Sequence, residues 1–173
     1  VGYLDNHVVI DQRLAVLVAR FADLGELLPA IVAAAAAEPR LHVAIMAHPT
    51  DRPELYAAMA GSARNITVVP AATDLARLLA ATDGLITRES TVAISALSIG
   101  VPSLVVGSPD HLGPLVDAGI MLGATVPDAV GPGLRALLFD GQVRKRLTRV
   151  VGTQSAEEDS GAPARADTPF DGE

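Results

Sequence analysis

Short apolar runs alternate with helix-forming segments along most of this chain, and that alternation restricts the fold more than any other feature. The run LAVLVA at residues 14–19 is apolar throughout, as expected of a strand covered on both faces. Similar runs follow at residues 42–47, 66–69, 85–86, 103–106 and 121–124. Because helical patterns separate them, the sequence predicts an α/β fold: a Rossmann-like, doubly wound parallel sheet of about six strands with helices on both faces.

The helices are predicted from their caps and from the spacing of apolar residues. Asp23 and Glu26 form a capping box for a helix that runs through Ala33–Ala37 and ends at Pro39. Two closing helices are predicted on either side of Gly141. Between these ends, further helices are predicted at residues 53–60, 73–81, 90–100 and 112–118.

One strand-to-helix turn carries most of the functional information. The strand at residues 85–86 leads into the polar turn TRES at residues 87–90, and a helix opens on Ser90 and Thr91. Hydroxyl side chains cap helices, and the amides at a helix start, together with the helix dipole, favour a bound phosphate. Because such a turn lies at the carboxyl edge of an open α/β sheet, where ligands bind, we predict a phosphate-binding turn here.

Composition excludes several classes of function. The chain has no cysteine, which excludes disulfides, thiolate metal sites and thiol nucleophiles and is typical of a cytoplasmic protein. No apolar run is long enough to cross a bilayer, and no signal segment is present. His7 and His111 are isolated in the sequence, and no carboxylates cluster with either of them at the spacing typical of metal ligands. We therefore predict no metal site and no cofactor.

A basic cluster near the end of the chain resembles a nucleic-acid contact. Its four members lie in the last predicted helix, where cations complement the helix dipole and solvate one face. They are Arg144, Lys145, Arg146 and Arg149. Tryptophan is absent and aromatic residues make up 3% of the chain, so base-stacking platforms are lacking. We expect no nucleic-acid partner.

Net charge is concentrated at the carboxyl end. Residues 153–173 hold six acidic residues and one arginine, a net charge of −5 out of −7 for the whole chain. This segment has one large apolar side chain, Phe170, so it cannot bury enough surface to offset the entropy of ordering. The sequence predicts a linker segment at residues 1–13, a Rossmann-like domain at 14–152 and a disordered acidic tail at 153–173.

Four segments carry a family resemblance. They are VGYLDNHVVID at residues 1–11, LHVAIMAHP at 41–49, RNITVVPAATDLARLLAATDGLIT at 64–87 and STVAISALSIGVPSLVV at 90–106. Their order and spacing resemble the carboxyl-terminal, nucleotide-donor-binding domain of GT-B-fold glycosyltransferases and glycerophosphotransferase-like enzymes that make bacterial surface or capsular polysaccharides.

The resemblance implies a role and two partners. The chain would be the half that binds a nucleotide-activated sugar or polyol, and catalysis would take place in the cleft against an amino-terminal acceptor-binding domain. That half is missing from the sequence, which also lacks an initiating methionine. We therefore expect a piece of a larger enzyme, inactive by itself, whose complete form is compatible with peripheral membrane association.

The resemblance also implies site residues, each with a structural alternative. Ser90 and Thr91 would contact the donor diphosphate, or they would only cap their helix. Arg20 would face the diphosphate, or it would be a solvated loop residue. Arg88 would pair with a phosphate, or with a carboxylate at Glu89 or Asp83. A further candidate is His48, which follows a strand and would bind a phosphate or sugar hydroxyl or act as an acid or base, unless it is a packed turn residue.

Two departures from the family pattern leave the function open. The motif usually has a glutamate that holds the ribose hydroxyls, and this chain has Ser95 there, with fewer acceptors and no charge. Met46 stands where the family has a basic residue two positions ahead of His48. Two alternatives therefore remain: a domain like that of polysaccharide pyruvyl transferases, and a non-catalytic binding or partner domain.

We predict that deleting residues 153–173 leaves the melting temperature of the protein unchanged within error, because their composition gives them nothing to bury. Differential scanning calorimetry of the full and shortened chains measures this. A loss of several degrees would instead mean that Phe170 docks on the domain.

Overall fold

The computed structural model describes residues 2–4, 8–10, 14–19, 27–46, 52–108 and 110–148, with side chains from residue 27 onward. Strands and helices alternate along these residues. The strands are β1 Gly2–Leu4, β2 Val8–Ile10, β3 Leu14–Ala19, β4 Leu41–Met46, β5 Ile66–Val69, β6 Gly84–Thr87, β7 Ser103–Val106 and β8 Leu122–Ala124. The helices are α1 Leu27–Ala36, α2 Pro53–Ala60, α3 Leu75–Ala80, α4 Val92–Ser98, α5 Gly113–Asp117, α6 Pro127–Phe139 and α7 at residues 141–148.

Six strands form one sheet in the order β5-β4-β3-β6-β7-β8, and every neighbouring pair is parallel. The chain builds outward from β3 to β5 and then returns to the other side of β3 with β6. This order is that of a doubly wound nucleotide-binding fold, and its direction of growth reverses between β3 and β6. The parallel α/β architecture predicted from the alternation of apolar runs is confirmed.

Residues 1–13 contain a second, smaller sheet. Strands β1 and β2 pair antiparallel, with Tyr3 opposite Val9. The interpretation of these residues as a linker segment stays a prediction, as does the whole division at 1–13, 14–152 and 153–173. The acidic tail, residues 153–173, lies outside the described residues.

The side chains of each buried strand divide between two cores, one on each face of the sheet. In β4, Val43 and Ile45 contribute to the core under α1 and α6, while Ala44 and Met46 contribute to the core under α3 and α4. Each of these four is at most 2% exposed. Since successive side chains of a strand point to opposite faces, a run without polar residues requires cover on both sides.

The turn between α1 and β4 is fixed by one buried amide. The Nδ2 atom of Asn65 donates to the carbonyl of Ala35 at 2.7 Å and to that of Glu38 at 3.4 Å. It thereby satisfies carbonyls that the end of a helix leaves without partners. Beside it, Arg40 donates to the Glu38 carboxylate through Nε and Nη2, both at 2.7 Å, which lowers the pKa of Glu38 to about 2.

The two closing helices are present, but they meet at Asp140 rather than at Gly141. The Asp140 carboxylate accepts hydrogen bonds from the N–H groups of Gln142 and Val143, at 2.9 and 3.1 Å, so Asp140 is the cap of α7 and Gly141 its first residue. The predicted helix at residues 112–118 likewise differs, because a 3₁₀ turn at Asp110–Leu112 precedes α5.

The basic cluster of the last helix does not act as a single solvated face. Lys145 and Arg146 are exposed, whereas Arg144 is half-buried. Its Nη1 atom donates to the carbonyls of Asp83 and Leu137, both at 3.3 Å. Arg144 therefore joins α7 to the end of α6 and to the residue before β6. Arg149 lies outside the described residues.

We predict that Asn65→Ala lowers the free energy of unfolding by about 1–3 kcal/mol, the cost of leaving buried carbonyls without a donor. Urea denaturation measures the change. Arg64→Ala alters the exposed neighbouring residue and is expected to leave the midpoint unchanged. Equal stability of the two variants would show that water replaces the amide without cost.

Candidate donor-binding site at the carboxyl edge of the sheet

The candidate site lies between β3 and β6, where the chain stops adding strands on one side of the sheet and begins to add them on the other. Strands β3 and β6 are parallel neighbours, and Val18 pairs with Ile86 near their carboxyl ends. The helix that follows β3 packs on one face of the sheet and the helix that follows β6 packs on the other. In this class of fold, the crevice that binds ligands lies beyond the strand ends at which two such connections diverge.

Ser90 is the structural cap of α4. Its Oγ accepts a hydrogen bond from the N–H of Val92 at 3.2 Å, and its carbonyl accepts from the N–H of Ala93 at 3.0 Å. Thr91 is exposed and its side chain makes no cap bond. The predicted capping bond is present for Ser90 and absent for the Thr91 side chain, because the backbone of Thr91 is already helical, with φ −57° and ψ −13°.

Arg88 follows β6 directly and is held against the end of the neighbouring strand. Its side chain is 29% exposed, and its Nε atom lies 3.4 Å from Oε1 of Glu89. Of the two carboxylates considered from the sequence, Asp83 is excluded as a partner because it precedes β6 and so lies at the opposite edge of the sheet. The Arg88–Glu89 pair places one cation and one anion at the mouth of the crevice.

Gly107 is a residue of this site that sequence reasoning missed. It is the first residue after β7 and has φ +75°, a conformation that side chains rarely adopt. A Cβ atom at Gly107 would lie 3.0 Å from Cδ1 of Leu27 and 3.6 Å from Nε of Arg88. Its position just past a strand was the available signal, since strand ends in a parallel sheet share one edge.

Ser95 lies one turn along α4 from the polar turn. It is exposed, and the rise of an α-helix places it about 6 Å along the axis from Thr91. Ser95 also lines a groove of about 550 Å³ between α3 and α4, whose floor includes Leu79 and Val101. Its neighbour Ile94 is 48% exposed, so an apolar surface adjoins the serine hydroxyl.

Two predicted site residues, Arg20 and His48, lie outside the described residues. The strands that precede them end at Ala19 and Met46, and these two residues are paired in the register of β3 and β4. A different histidine, His42, lies in β4, where its Nε2 is 3.0 Å from Oγ1 of Thr67 on β5. That contact joins two neighbouring strands, so His42 has a structural role.

Within the part of the chain that the structure describes, acidic and histidine side chains form no group of three that could hold a metal ion. No helix among the same residues is long and apolar enough to cross a membrane.

No protein-family profile matches this sequence, and no curated protein is similar to it in sequence. Solved structures are similar in fold. The glycosyltransferase SnogD from Streptomyces nogalater has a TM-score of 0.67 at 21% identity, over 90% of this chain and 42% of SnogD. The UDP co-structure of S. aureus MnaA has a TM-score of 0.66 at 16% identity, over 91% of this chain and 50% of MnaA.

A third similar structure is the spinosyn rhamnosyltransferase SpnG complexed with thymidine diphosphate. It has a TM-score of 0.64 at 16% identity, over 93% of this chain and 49% of SpnG. The chain thus spans about half the length of the proteins it matches. At these identities the likeness shows the fold: a Rossmann-like α/β domain of the kind that forms half of GT-B glycosyltransferases.

Proposed function

We propose that this chain is the nucleotide-sugar donor-binding half of a GT-B-type glycosyltransferase. The observation that carries the proposal is the position of the polar turn Arg88–Thr91. This turn follows β6 at the carboxyl edge of the sheet, next to the end of β3, where the order of strand addition reverses. The fold is similar to that of glycosyltransferases. Among the similar structures, MnaA is seen with UDP and SpnG with thymidine diphosphate, which supports a nucleoside diphosphate as the ligand class.

The diphosphate is proposed to bind the amides of Ser90 and Thr91, with Arg88 supplying positive charge. A guanidinium can form two parallel hydrogen bonds to a phosphate, so Arg88 suits this role. Arg20 is the proposed second cation, because the strand before it is the neighbour of β6 in the sheet. Glu89 is the group that an incoming diphosphate would displace from Arg88.

The nucleoside is proposed to extend along α4 toward Ser95. The helical rise sets Ser95 about 6 Å from the start of the helix, on the exposed surface that includes Ile94. A serine offers the ribose one hydroxyl in place of two carboxylate oxygens. Weak affinity for the nucleoside is therefore expected.

The finer parts of the proposal rest on the four sequence motifs. They are a role in bacterial surface or capsular polysaccharide synthesis and an acceptor-binding domain as partner. The proposed cytoplasmic location rests instead on the absence of cysteine. His48 is the candidate for acid–base chemistry in the complete enzyme, because it comes two positions after β4, whose carboxyl end lies at the same edge of the sheet as that of β6.

We predict that Arg88→Ala lowers the affinity for UDP about tenfold to hundredfold, since one charge-assisted phosphate contact contributes about 1.5–3 kcal/mol. Thr91→Val removes a neutral contact and is expected to cost less than tenfold. Isothermal titration calorimetry with UDP, CDP, GDP and thymidine diphosphate measures both. Arg146→Ala removes an exposed cation from α7 and is the control for net charge.

We predict that Ser95→Glu tightens the binding of uridine and UDP, because a carboxylate supplies two charged acceptors for the ribose hydroxyls. A gain of about tenfold is expected from one charge-assisted hydrogen bond. Ser98→Glu is the matched control, since it adds the same charge to an exposed position one turn further along α4.

A non-catalytic partner domain is the second candidate, favoured by the absence of the ribose-binding carboxylate at Ser95. Calorimetry separates the two functions. If neither the wild type nor Ser95→Glu binds any of the four nucleotides at millimolar concentration, the donor-binding proposal fails.

A further inference from the structure

We draw no further inference here: the strongest candidate, the apolar groove between α3 and α4 whose floor includes Leu79 and Val101, carries none because nothing among the described residues shows what covers it.

Discussion

Burial of both faces of one parallel sheet is the constraint on which the rest of this structure depends. The central strands carry apolar side chains on each face, so water must be excluded from both. Helices supply that cover only if some connections pass above the sheet and others below. The chain meets this requirement by building outward from β3 and then reversing at β6. The crevice at the carboxyl edge is a geometric result of that reversal.

Charged side chains lie beyond the ends of the described strands for the same reason. Within the sheet a charged side chain would be buried without a partner, whereas at the edge it reaches solvent. Arg88 lies at the boundary between the buried sheet and solvent. It follows a fully buried strand, and its own side chain is only 29% exposed. The Nε atom of Arg88 lies near Gly107, since a Cβ atom placed at Gly107 would be 3.6 Å from it. The edge of the sheet thus brings the residue after β6 close to the residue after β7.

Local sequence rules held where the contacts they describe are local. Ser90 caps α4 and Asp74 caps α3, as hydroxyl and carboxylate side chains do at helix starts. The rules failed where a distant segment competes for the same group. Arg144 was assigned to the helix dipole, yet it donates to the carbonyl of Asp83, 61 positions away. At Asp140 the competition is local instead, because its carboxylate caps the next helix, so the two closing helices meet there rather than at Gly141.

The sequence by itself determined the class of fold and the position of the polar turn that we propose as the site. Uninterrupted apolar runs separated by helical patterns specify a parallel sheet, and the turn after Ile86 is recognisable from Arg88, Ser90 and Thr91 alone. Tertiary structure decided which strand ends meet. No local pattern indicates that Gly107 lies beside Arg88, because strand order is set by the helices that each face must accommodate. The neighbours of a site residue therefore depend on packing across the whole sheet.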